Sequence, residues 1–297
     1  MAYWTMADLW EAIAAAQPEA PVFEDGAASL SWRDFDQQAD GLAEGLVAAG
    51  LGVQDGVGFY RLAGRERLVG AFATFKAGLR PVAVAGRETP DTHAWAFQEA
   101  QVAAVVFDTR FTAEVEALRQ ALPGVRLWIA CVRLGPPTPD WAVDYDDLGM
   151  GLVVQAPFCA PWDRSMDDAL QVCSRREDGT LRLQTVTQET LQSECETLAR
   201  RILRARPVET VSAALRRALR LQDGCGPLCL SNRVPCGYEA IRTWLAALSL
   251  GGSVVMADAE LYATAEARSP ASAAAEGAIL TRRRDLSGAG VAWRPDV

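Results

Sequence analysis

Apolar positions along this chain alternate between a three-to-four-residue spacing and short continuous runs, which is the pattern of helices interleaved with buried strands. Thr5 and Asp8 form a capping pair that opens a helix through Leu9, Ile13 and Ala16. A hairpin follows, from Pro21-Val22-Phe23 through a turn at Asp25-Gly26 to Ser29-Leu30. Ser31 and Asp34 repeat the capping pair; Phe35, Ala39, Leu42 and Leu46 then mark one helical face that stops at Gly50. Strand patterns at Val57–Leu62, Pro81–Ala85, Ala103–Phe107 and Arg126–Val132 alternate with helical ones at Leu68–Ala77, Asp91–Ala100 and Thr112–Leu122. This β-α-β-α order predicts a parallel sheet covered on both faces.

Residues 135–162 are rich in proline, aspartate and glycine and read as a connector. Beyond them, Leu170–Cys173 and Leu181–Val186 form two strand patterns around Asp178-Gly179, which fits a β-hairpin. Helical patterns span Glu189–Arg206 and, after Pro207, Val208–Leu221. Strand Leu228–Ser231, helix Tyr238–Leu250 and strand Ser253–Ala257 end the recognisable pattern, and the alanine-rich tail is weakly patterned. The fold class expected is α/β, with two lobes of mainly parallel sheet flanked by helices. Residues 1–155 are assigned to the first lobe and 156–297 to the second.

Composition narrows the chemistry. With 297 residues, half of them hydrophobic, the chain can bury a substantial core. A net charge of −9 argues against nucleic acid as a partner, and no apolar run reaches the length of a membrane span. The first ten residues lack the regions of a secretory signal, so a cytoplasmic location is expected. The seven cysteines then read as reduced thiols; CGPLC at Cys225–Cys229, with Cys236 beyond, has irregular spacing and no nearby histidine, so no metal site is expected. The chain has one histidine, His93, and one lysine, Lys76. His93 is expected on the surface or in a capping role. A single histidine argues against a Ser-His or Cys-His nucleophile pair, in which that residue would have to serve. Seven arginines between Arg200 and Arg220, among them Arg200, Arg201, Arg204, Arg216, Arg217 and Arg220, form a locally basic stretch. They read either as a solvated helix face or as candidate contacts for an acidic carrier protein or a phosphate.

The segment DDALQVCSRREDGTLRLQTVTQETL, from Asp167 to Leu191, aligns without a gap on D-x-A-L-x-x-Y-T-S-G-T-T-G-x-P-K-G-V-x-x-T-H-x-x-L. That signature is the nucleotide loop of adenylate-forming enzymes, the acyl-CoA synthetases and their relatives. Three further blocks resemble the same family in order and spacing: LWEAIAAAQPEAPVFEDGAASLSWRDFDQQADGLAEGLVAAGLGVQDGVGFY, FATFKAGLRPVAVAGRETPDTHAWAFQEAQVAAVVFD and WLAALSLGGSVVMAD. The resemblance implies an N-terminal half of such an enzyme, with the hairpin and helix of residues 1–50 packing with the second lobe. Ala278–Leu286 would correspond to a family helix.

The loop's flanks fit the family and its centre does not. Ser174, Gly179 and Thr187 stand where the family has similar residues. Arg175, Arg176, Glu177 and Asp178 replace small residues whose backbone N–H groups close on phosphate. Thr180 follows, Arg182 replaces the loop lysine, and Gln188 stands in place of histidine. The family's charge-stabilising lysine belongs to a C-terminal domain with no counterpart here. The expectation is therefore a non-catalytic relative with no catalytic residues and no bound cofactor, acting as a binding or partner subunit. Alternatives are half of a split ATP-dependent acyl-CoA or carrier-protein ligase, or a module that binds an acyl or aryl acid without activating it. Apolar surface left uncovered by a missing half would favour a homodimer or a separate subunit, with an acyl carrier protein as a candidate partner.

Overall fold

The computed structural model describes residues 5–25, 28–84, 88–150, 157–161, 168–176, 178–203, 227–231, 238–256 and 278–282. The chain begins with α1 (Met6–Ala16), the hairpin strands β1 (Pro21–Asp25) and β2 (Ala28–Ser31), and α2 (Trp32–Ala48). An alternating run follows: β3 (Gly56–Tyr60), α3 (Gly64–Lys76), β4 (Arg80–Ala83), α4 (Pro90–Glu99), β5 (Val102–Asp108), α5 (Thr112–Ala121) and β6 (Leu127–Cys131). Next come β7 (Val143–Asp144), α6 (Tyr145–Met150), β8 (Asp168–Arg175), β9 (Leu181–Thr187) and α7 (Gln188–Leu203). Last are β10 (Pro227–Ser231), α8 (Tyr238–Leu248), β11 (Ser253–Met256) and β12 (Ala278–Arg282).

These elements form two compact units, one of residues 1–7 and 36–188, the other of residues 8–35 and 189–297. In the first, seven strands lie in the order β7-β6-β5-β3-β4-β8-β9, parallel except for the β8–β9 hairpin. The chain winds from β3 to β4 on one side, then returns past β3 to β5, so winding reverses at β3. All residues of β3 and β5 are buried, as expected for strands covered on both faces. Tyr60 joins a core with Phe97, Val105, Phe107, Val115 and Leu118. Its neighbour Phe59 turns the other way, toward Gly70 of α3, as the two-residue period of a strand requires.

The second unit holds a five-stranded sheet in the order β12-β10-β11-β1-β2. The β1–β2 hairpin enters it because β1 pairs in parallel with β11, setting Phe23 opposite Val254. Trp10, Trp32 and Phe35 are fully buried and pack as tilted and edge-to-face rings at 5.8 and 5.7 Å.

Three departures from the sequence reading have identifiable causes. Residues 143–150, read as connector, form β7 and α6. Of these residues Tyr145 is buried, and its hydroxyl donates to the Glu66 carbonyl at 3.1 Å. Strand β3 ends at Tyr60 instead of Leu62 because Arg61 adopts a left-handed φ of 49°. Residues 278–282, expected in a helix, form a strand because Ala278–Arg282 pair antiparallel along the whole of β10. The helical pattern at 208–221 lies outside the described residues.

Candidate functional site: the β8–β9 loop

Ser174, Arg175 and Arg182 sit where β8 and β9 meet the loop, with Ser174 opposite Arg182 and Arg175 opposite Leu181. The loop closes on itself. Arg176 N–H donates to the Thr180 carbonyl at 2.8 Å, and Gly179 N–H to the Arg176 carbonyl at 2.9 Å. Gly179 takes φ 84°, a conformation a glycine adopts without penalty. The Asp178 carboxylate accepts from the Thr180 N–H at 2.9 Å and from its hydroxyl at 2.6 Å. Those two bonds, the hydroxyl's first, hold the Asp178 carboxyl below the usual carboxylate range. The loop tip therefore carries a fixed negative charge.

Arg175 spans the loop and a neighbouring helix. Its guanidinium donates to the Gly179 carbonyl at 2.9 Å and to Glu88 at 2.7 Å, and reaches the Thr92 hydroxyl at 3.4 Å. Thr92 belongs to the first turn of α4, which Thr89 caps by accepting its backbone N–H. The sequence held no signal for the Arg175–Glu88 pair, because the two residues lie 87 positions apart. Arg176, Thr180 and Arg182 are exposed, Thr187 is half-buried, and Gln188 is buried at the start of α7. Glu177 lies outside the described residues.

The arginine stretch is only partly placed. Arg200 and Arg201 belong to α7, while Arg204, Arg216, Arg217 and Arg220 lie outside the described residues. Among the described residues no group of histidine, cysteine or acidic side chains could hold a metal. Nor is any helix there long and apolar enough to cross a membrane.

The lone lysine and histidine are both interior. Lys76 has 1 % of its side chain exposed and lies 2.6 Å from Asp36, with a second ion pair to Asp40 one helical turn further along α2. Burial raises the Asp40 carboxyl above its usual value, although Lys76 opposes this. His93 is fully buried and is therefore no surface residue. Its ring nitrogen Nδ1 lies 3.0 Å from the Thr89 carbonyl oxygen, and Tyr60 packs against it edge to face. A lone polar residue within an otherwise helical pattern gives no sign in sequence of which face is covered.

An open parallel sheet whose winding reverses at one strand, joined in the same chain to a second α/β unit, is the architecture of adenylate-forming ligases. The family profile described as AMP-binding enzyme matches residues 10–163, and the chain belongs to that family. The matched segment ends before β8, so the loop's correspondence rests on the residues of 167–191 themselves. No curated protein sequence matches the chain. Among solved structures, a proposed long-chain-fatty-acid CoA ligase from Rhodopseudomonas palustris is 22% identical with a TM-score of 0.69, covering 90% of this chain and 62% of its own. MbtA from Mycobacterium smegmatis is 16% identical at TM-score 0.69, covering 90% and 46%. The amide bond synthetase McbA from Marinactinospora thermotolerans is 20% identical at TM-score 0.62, covering 89% and 48%. Such likenesses show the fold. The chain spans between 46% and 62% of the length of these three proteins.

Proposed function

We propose that this chain is a catalytically degenerate acyl-CoA synthetase-like protein, serving in the cytoplasm as a binding or partner subunit in acyl-chain metabolism. One observation carries the reading: the loop's own groups consume the donors that a phosphate would need. The backbone N–H groups of Arg176, Gly179 and Thr180 all bond within the loop. Arg175, at the end of β8, is tied to Glu88. A triphosphate would have to break these bonds and approach the ionised Asp178, where like charges repel. The single lysine is engaged in an internal ion cluster, which further supports the reading. Residues 174–182 are thus a structural relic, and no nucleotide cofactor is expected.

The test is ATP–pyrophosphate exchange with a panel of carboxylic acids, alongside calorimetric titration with ATP. Neither exchange nor binding heat is expected. Exchange by the chain alone, or an adenylate mimic seated against residues 174–182 in a crystal, would overturn the proposal.

A second reading draws on the chain's span of its structural neighbours: half of a split ligase completed by another polypeptide. It requires exchange activity to appear when that polypeptide is added. A module that binds an acyl or aryl acid without activating it would instead show a ligand-dependent thermal shift. Self-association into a homodimer, or docking of an acyl carrier protein on Arg200, Arg201, Arg204, Arg216, Arg217 and Arg220, belongs to the subunit reading. Sedimentation as a monomer, with and without an acyl carrier protein, would count against both.

A further inference from the structure

His93 is the chain's only histidine, and it sits where α4 holds the loop. The Thr89 carbonyl accepts the His93 backbone N–H at 3.1 Å and faces the ring's Nδ1 at 3.0 Å. A carbonyl can only accept, so Nδ1 carries the ring proton and Nε2 is left as an acceptor. Nε2 is buried and has no hydrogen-bond partner among the described residues. The rings of Tyr60 and Phe97 wall it in at 4.7 and 5.9 Å. The charged groups around it come from every neighbouring element: Arg61 after β3, Glu114 of α5 and Glu88 ahead of α4. The Tyr60 hydroxyl of β3 donates to Glu114 at 2.5 Å. From β8, Arg175 pairs with Glu88, and the buried Cys173 lies near the same carboxylate.

We propose that His93 is an acid-sensitive latch on the β8–β9 loop. The neutral imidazole fixes the first turn of α4, Arg175 fastens the loop to that turn, and a solvent proton taken up on Nε2 releases both. Protonation creates a buried N–H donor with no acceptor among the described residues and places a cation facing Arg61. Burial holds the His93 pKa below its ordinary 6.5. The folded state therefore binds the proton less tightly than the opened one. The latch is fully closed above 6.5 and weakens as pH falls below it, by up to about tenfold in the opening equilibrium per pH unit for one proton. This holds whether or not the loop retains any affinity for nucleotide.

Hydrogen exchange of the whole chain, corrected for intrinsic rates, tests the idea without nucleotide, so its failure would leave the assignment of the loop as inactive untouched. Between pH 7.5 and 5.5, protection in residues 88–99 and 174–182 is expected to fall together, while β11 and α8 stay unchanged. His93→Gln should abolish the response. Arg175→Gln should leave the α4 response and free the loop from it. Protection independent of pH, or an unaltered response in the His93→Gln variant, overturns the proposal. Should that variant not fold, the single imidazole signal of the unaltered chain decides by NMR. The latch requires the Nδ1–H tautomer with a midpoint below 6.5; a midpoint at or above 6.5 sinks it.

Discussion

Replacing Lys76 by methionine keeps the side chain's length and apolar stem but removes the ammonium from between Asp36 and Asp40. In the native protein that ammonium lies 2.6 Å from Asp36, pairs with Asp40, and sits 4.8 Å over the Phe72 ring. Only 4 % of the Asp40 side chain is exposed, so after substitution its charge would be buried without its cation, left with the backbone hydrogen bond from Phe158 and one turn from a second carboxylate. Breaking a buried pair by removing one partner costs about 3–5 kcal/mol. For a cooperative unit of 150–250 residues that lowers Tm by roughly 6–20 °C. The sign of the pH dependence follows from burial, which raises the Asp40 pKa above 3.8 even with Lys76 present. Without the lysine that rise is less opposed, and the folded state binds a proton more tightly than the unfolded one. The variant should therefore regain stability on acidification and lose it as pH climbs through the folded-state pKa. Urea unfolding followed by tryptophan fluorescence at several pH values measures both effects. Adding Asp40→Leu should recover much of the loss, because an apolar replacement removes the stranded charge. A Lys76→Met variant within about 1 kcal/mol of the parent at neutral pH would refute the reasoning.

Other outcomes are equally direct. An amine-reactive probe should leave Lys76 unlabelled in the folded chain and label it only on unfolding, as peptide mass spectrometry would show. Gly45→Ala should destabilise by about 1–3 kcal/mol, read from urea midpoints, because its Cβ would press on the Leu148 carbonyl and lie 2.9 Å from Leu148 Cγ. Among the described cysteines, Cys159 is exposed, whereas burial pushes the thiols of Cys131 to about 12 and Cys173 to about 11. Maleimide labelling at pH 8 should modify Cys159 well before Cys131, Cys173 and the buried Cys195; comparable rates would contradict the packing.

The sequence by itself determined the alternation of elements in the first half and the hairpin between residues 168 and 187. These are local matters: apolar period, caps such as Ser31 with Asp34, and turn chemistry at Asp178-Gly179 act within a few residues. Its resemblance to the family's nucleotide loop also implies acidic and bulky residues where a phosphate cradle wants small ones. Only the tertiary structure decided what those residues touch. That Arg175 belongs to Glu88, that Lys76 is locked between two carboxylates, that His93 is interior and that Ala278–Arg282 pair with β10 all depend on contacts between distant positions. Charge and hydrophobicity read along a chain do not encode distance in space. The same arginine is a free anion ligand or a structural tie according to which helix the fold brings beside it.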